Sequence, residues 1–326
     1  MRVHAVRPMG TVVRAVVDHG DRDATVLLDS GLGLPLEVWD PVVSLLPAVR
    51  VVRFDRPGLG GSAAWGLGLG SLDDQVALLV SVLAATTPDP LRTPVVLVGH
   101  SSAALHVEAL ARTHPELVRA LVLLDPALPD RERRHGWAGA AIPPLADWLV
   151  TDPARARLIG SAVGWSMLRV GTSGAGSAAR APQSTRAAMR TPGHLQGLLS
   201  ELRRSGADAR LLLARAAGRP VPAGIPVTVL AATRRGWPVG TPKPRWHRQL
   251  RVRAGALSPD ARVVPAGGAH LLMLDDPETV ASVVARAAGA PNGHARADDR
   301  QAGTAGALPT GTAGATPIRA ANLSNR

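Results

Sequence analysis

The sequence predicts an α/β fold: a mostly parallel central sheet with helices on both faces, interrupted by an inserted helical stretch. Three observations carry this expectation. Short apolar runs alternate with helix-like stretches from Thr11 to about Pro129, and the alternation resumes at Val227. The strand-like runs, such as Pro94-Val95-Val96-Leu97-Val98, are continuous in Val and Leu, as strands covered on both faces require. Between the two halves, about residues 127–223, the strand-like runs stop and the pattern turns helical.

Taken in order, residues 11–17 and 24–29 are expected as strands, followed by a helix around 36–46. Residues 50–55 form the next strand. A helix over 71–85 opens with Ser71-x-x-Asp74, a capping box that satisfies open N–H groups of the first turn. Then come the 95–98 strand, a helix from Ala104 to His114, and a strand over 120–124. The second half supplies a strand at 227–231, a helix near 246–256, a strand at 261–264 and a last helix. That helix begins Asp276-Pro277-Glu278, an N-cap followed by proline at the first helical position. The division expected is a core of residues 1–126 and 224–290, an insertion over 127–223, and a tail over 291–326. The insertion carries Trp137, Trp148 and Trp165 and a Gly/Ser/Ala-rich interruption at 171–179. It reads either as a cap over the carboxyl edge of the sheet, with an apolar pocket built from its Trp and Leu residues, or as ordinary connecting helices. The tail is Ala, Gly, Thr and Pro without apolar period, the composition of a disordered segment.

The 326 residues suffice for a full core. The chain has no cysteine, which excludes disulfides and thiolate metal sites and fits a cytoplasmic setting. Residues 1–20 lack a continuous apolar core, so neither a signal peptide nor a membrane span is expected. The formal charge is +12, yet aromatic residues make up 2% and no stacking motif interleaves with the arginines, so nucleic acid is not an expected partner.

Gly99-His100-Ser101-Ser102-Ala103 joins the 95–98 strand to its helix. A sharp strand-to-helix turn lifts a serine clear of the sheet and aims the next amide, that of Ser102, at the place where negative charge would develop. Only small residues fit two positions either side of the serine. Gly99 and Ala103 meet that need, although G-x-S-x-G places glycine at the second position.

These stretches together resemble the α/β-hydrolase fold family over about residues 11–290. Leu27-Leu28-Asp29-Ser30-Gly31-Leu32-Gly33 with Trp39 is similar to its first oxyanion loop, and 53–62 (Arg-Phe-Asp-Arg-Pro-Gly-Leu-Gly-Gly-Ser) to its glycine-rich turn. Gly99–Ala103 resembles the nucleophile elbow, Leu121-Val122-Leu123-Leu124-Asp125-Pro126 the strand beyond it, and Gly268-Ala269-His270 the histidine loop. The resemblance implies Ser101 as nucleophile, His270 as base, and the backbone N–H groups of Leu32 and Ser102 as the oxyanion hole. The acid departs from the common pattern. Residues 225–253 contain no aspartate or glutamate, and Asp260 lies at the wrong edge of a parallel sheet. Asp125, at the correct edge, is assigned as the acid; an Asp-Pro there otherwise serves only as a turn.

Where the family often has His-Gly, Ser30-Gly31 stands, so a bracing side chain is missing; Asp29 either braces the loop or caps a turn. His100 is expected beside the nucleophile, and Asp55 and residues 58–62 as structural.

The implied activity is a serine hydrolase of an apolar small-molecule carboxylic ester, less readily an amide, through an acyl-enzyme, with no cofactor or metal. A lyase, thioesterase or perhydrolase on the same residues stays open, as does a binding protein without turnover.

Overall fold

The computed structural model describes residues 1–19, 22–62, 70–128, 148, 150–234 and 243–290. The strands are β1 Arg2–Val6, β2 Val13–Asp18, β3 Thr25–Asp29, β4 Arg50–Phe54, β5 Val95–His100, β6 Val118–Leu124, β7 Val227–Ala232 and β8 Arg262–Ala266. The helices are α1 Asp40–Val43, α2 Leu72–Thr86, α3 Ala103–Thr113, α4 Pro153–Gly171, α5 Ala175–Ala179, α6 Gln183–Ala188, α7 Pro192–Ala216, α8 Lys243–Leu257, α9 Leu272–Asp275 and α10 Pro277–Ala288.

The strands form one sheet in the order β1-β2-β4-β3-β5-β6-β7-β8. β2 runs antiparallel to both its neighbours, and every pair from β4-β3 to β7-β8 is parallel. Successive side chains on a strand face opposite sides. Leu27, Val52, Leu97, Leu121 and Val229 join the core that holds Leu79, Leu110 and Leu250 of α2, α3 and α8. Val51, Val96, Val98, Val122 and Leu230 join the core of Val42, Met273 and Val284, from α1, α9 and α10. Both faces of the central strands are therefore apolar, which is why their sequences run without alternation.

The predicted capping box is present: Ser71 Oγ accepts from Asp74 N at 3.3 Å, and the Asp74 carboxylate accepts from Ser71 N. Asp276 caps α10 by accepting from Thr279 N at 3.2 Å. Two expectations need correction. β1 was not predicted; it is an edge strand whose side chains are mostly exposed, so it carries no core pattern. The helix expected over 36–46 is a 3-10 turn, Leu36–Trp39, running into the four residues of α1. Pro41 has no N–H to continue a regular helix there.

Between β6 and β7 the described elements are the four helices α4–α7, and the Gly/Ser/Ala-rich stretch includes the short α5. Trp137 and the tail over 291–326 lie outside the described residues. Among the described residues no helix is long and apolar enough to cross a membrane.

Helix α7 buries His194 completely, and neither ring nitrogen has a hydrogen-bond partner among the described residues. Burial pushes its pKa down from 6.5 to about 4, with the Glu201 charge opposing. Between those values the unfolded chain binds a proton that the folded chain refuses. Stability therefore falls as the pH drops through that window, by up to about 1.4 kcal/mol per pH unit for this ring. Urea unfolding at pH 4.5 and 7 is expected to show this loss, and His194→Leu to reduce it by the share of this ring; an unchanged loss in the variant would rule out His194 as a source.

Candidate active site

β5 ends at His100 and α3 starts at Ala103, so Ser101 sits in the turn between them. Its φ is 53°, a left-handed conformation that costs a non-glycine residue on the order of 1–3 kcal/mol. The turn is held on both sides: Ser101 N donates to Leu124 O at 3.0 Å, and Ser101 O accepts from Ala127 N at 2.9 Å. A Cβ on Gly99 would lie 2.9 Å from both Ala103 O and Ala104 Cα. Strand and helix backbones nearly touch there, and Ala103 is small enough to fit.

Asp125 follows β6, and its N donates to Leu230 O of β7 at 2.8 Å. Its φ is 36°. The four described non-glycine residues of positive φ are Met9, His19, Ser101 and Asp125. Two of these four are candidate site residues. His270 lies in the loop after β8, and Asp275 Oδ2 fixes that loop by accepting from Ala269 N at 2.8 Å and Ser173 N at 2.9 Å. Leu271 N, next to the histidine, donates to Gly171 O at 2.7 Å.

These three positions, separated widely in sequence, meet in one hydrogen-bonded series. His270 Nε2 stands 2.8 Å from Ser101 Oγ, and His270 Nδ1 stands 2.7 Å from Asp125 Oδ2. The Asp125 side chain is 4% exposed, while that of His270 is 42% exposed. A buried carboxylate facing Nδ1 keeps the proton on that nitrogen and leaves the Nε2 lone pair for the serine hydroxyl. The other carboxylate oxygen accepts from Trp246 Nε1 at 2.7 Å and Ala232 N at 3.2 Å. Trp246 was not predicted for this place; nothing in a helix otherwise rich in basic residues marks it.

Ser102 follows Ser101 and immediately precedes α3, and Leu32, in the loop after β3, lines the same cavity as Ser101. A Cβ on Gly31 would lie 2.5 Å from His100 Nδ1 and 3.1 Å from the Ser101 Cβ. Gly31→Ala is thus expected to push the loop off the serine and lower kcat of an ester assay by about 10- to 100-fold, a misplacement effect. A variant with unaltered kcat would show that the loop's position is immaterial.

Of the two expectations for Asp29, the structure places it as an indirect brace of the loop, acting through Arg56. Ser30 Oγ accepts from Trp39 Nε1 at 2.9 Å. Asp29 is fully buried and holds Arg56 Nη1 at 2.6 Å and His106 Nδ1 at 3.2 Å. Arg56, only 3% exposed, donates to the carbonyls of both Ser30 and Gly31. Burial acts to lower its pKa, but Glu201 and Asp29 outweigh that and raise it, so the guanidinium stays charged. Sequence reasoning missed Arg56. The available signal was an arginine and an aspartate at the carboxyl ends of the neighbouring strands β4 and β3. Asp55, expected as structural, accepts from Leu36 N at 2.8 Å, Gly61 N at 2.9 Å and Arg14 Nε at 2.7 Å.

The His100 ring lies 4.8 Å from the His270 ring, and its Nε2 bonds His270 O at 2.9 Å. Burial, together with His270, pushes its pKa down to about 3, so it stays neutral beside the base. A cavity of about 570 Å³ opens over Ser101 and His270, with Leu32, Leu34, Val163, Met167, Val170 and Leu271 in its wall. Of the tryptophans expected to form it, Trp148 and Trp165 do not: both are exposed and lie against Arg155 and Arg169. Apolar side chains of α4 take that place. Among the described residues no three His, Asp or Glu side chains converge as a metal site needs.

The model of the Alpha/beta hydrolase family matches residues 26–283. Lipase LipV of Mycobacterium tuberculosis is 33% identical over 146 residues, 44% of this chain and 52% of the lipase. The match thus spans about half the length of that relative. The enol-lactonase from Burkholderia xenovorans LB400 superposes with a TM-score of 0.64 at 22% identity, covering 88% of this chain and 99% of the other. Cfl2 from Burkholderia cenocepacia gives 0.65 at 18% identity, covering 87% and 94%. At such identities the two structures speak for the fold.

Proposed function

Because the chain belongs to the Alpha/beta hydrolase family, we propose that it is a serine hydrolase that cleaves a carboxylic ester through an acyl-enzyme. The observation that carries this is the series Ser101 Oγ–His270 Nε2–Asp125, at 2.8 and 2.7 Å, with the serine on a strained turn beneath an apolar cavity.

In this reading Ser101 Oγ attacks the ester carbonyl carbon while its proton passes to His270 Nε2. The carbonyl π pair moves onto oxygen, and the N–H groups of Leu32 and Ser102 hold that oxyanion; one such donor contributes about 3–4 kcal/mol. Asp125 stabilises the imidazolium. Collapse re-forms the carbonyl and expels the alcohol, which takes the proton from His270. Water then repeats the sequence against the acyl-enzyme, releasing the acid and returning the proton to Ser101. The cavity wall, with no Asp, Glu, Lys or Arg side chain among its described residues, favours an uncharged acyl or alcohol group. Helices α4–α7 serve as the cap, since Val163, Met167 and Val170 of α4 line the cavity.

A fluorophosphonate probe tests the reading, followed by short-chain p-nitrophenyl esters. Labelling of the wild type with turnover of an ester is the expected result. A folded protein that takes no label favours the binding protein, and labelling without ester turnover favours other chemistry on the same residues.

A further inference from the structure

We infer that Glu201 of α7 and Arg56 form a positioning pair that sets the direction of the Leu32 N–H, so that the oxyanion hole is complete only with α7 docked. The inference deepens the hydrolase reading above and rests on it for its kinetic consequences. Its geometric content stands on the loop alone.

A trans peptide unit is planar, with its C=O and N–H pointing opposite ways. Gly31 O and Leu32 N belong to one such unit. Arg56 Nη2 holds Gly31 O at 2.7 Å, which turns the Leu32 N–H away from the guanidinium. The following unit is pinned as well, because Gly33 N donates to Glu201 Oε2 at 2.8 Å. Leu32 is therefore fixed on both sides, once by each member of the pair. The two members are joined by two hydrogen bonds, Arg56 Nε to Glu201 Oε1 at 2.5 Å and Arg56 Nη2 to Glu201 Oε2 at 3.0 Å.

Arg56 is anchored to the sheet by Asp29, so it keeps a partner when Glu201 is absent. Glu201 comes from the inserted helices, 145 residues further along the chain. The helix is seated tightly beside the same turn: a Cβ on Gly197, one helical turn before Glu201, would lie 2.9 Å from Gly58 O. Without Glu201 the Gly33 N–H loses its acceptor, and the 32–33 unit can rotate. The 31–32 unit then rests on Arg56 alone, and the Leu32 N–H loses its second restraint.

The test uses the full chain with p-nitrophenyl butyrate. Glu201→Ala is expected to lower kcat by about 10- to 100-fold with KM within about twofold, as loss of transition-state contacts requires. Deuterium uptake in a peptide covering residues 30–34 is expected to rise. Glu201→Gln, whose amide oxygen still accepts from Gly33 N but whose NH₂ meets the Arg56 Nε–H, should recover part of the kcat. Should Glu201→Ala fail to fold, Arg56→Lys replaces it: lysine keeps the charge but cannot hold Gly31 O and Glu201 together, so the same kcat loss is expected. A folded variant with wild-type kcat, or a loss in no part recovered by Glu201→Gln, overturns the inference. If the wild type neither takes the fluorophosphonate label nor turns over an ester, the hydrolase reading has failed. Uptake at 30–34 then decides alone: a rise supports the pair, and unchanged uptake overturns it.

Discussion

Ser101→Ala is expected to lower kcat for ester hydrolysis by about 10⁴- to 10⁶-fold and to abolish fluorophosphonate labelling. The loss follows from position. The serine hydroxyl lies 2.8 Å from a histidine nitrogen whose partner nitrogen faces a buried carboxylate. No other hydroxyl is placed 2.8 Å from that nitrogen among the described contacts. The substitution removes one oxygen atom and leaves the turn's backbone bonds to Leu124 and Ala127 in place, so the melting temperature should stay within a few degrees. Label retained by the variant would mean that another residue is the nucleophile.

Asp125→Asn is expected to cost about 10⁴ in kcat with little loss of fold. Trp246 Nε1–H and Ala232 N–H both aim at one oxygen of the carboxylate. An asparagine there must turn its carbonyl oxygen toward those two donors. Its NH₂ group then faces His270 Nδ1 and donates to it. The histidine is thereby locked with its proton on Nε2, where it cannot accept one from Ser101. Removing the outer donors should soften this effect. Trp246→Phe in the Asp125→Asn background removes the nearer of the two donors, eases the turn of the amide and is expected to restore part of the rate, measured with the same ester. Full activity in Asp125→Asn would reassign the acid.

Much of this was readable from the residues because the signals are local. The parallel strands betray themselves by uninterrupted Val and Leu, since both of their faces are covered. Ser101 is marked by the small residues that a tight turn demands. Asp125 is reached by topology: residues 225–253 offer no acid, and the end of β6 lies at the same rim as the elbow. What escaped is what depends on distant partners. Arg56 and Glu201 meet across 145 residues, and a glutamate on a helix rich in charged residues carries no sign of burial. An apolar pocket was expected from the insertion's Trp and Leu residues, whereas Trp148 and Trp165 cover arginine guanidinium groups at the surface. β1 escaped because an edge strand with exposed side chains needs no apolar pattern.

The left-handed torsions at Ser101 and Asp125 set durability against chemistry. Glycine at position 101 would relax its kink without orphaning a buried partner, and a folded chain so relieved would outlast its parent on heating while doing nothing to an ester. The rim of the sheet is kept tense at the two spots where side chains must project, and the rest of the molecule has to be sound enough to hold them there.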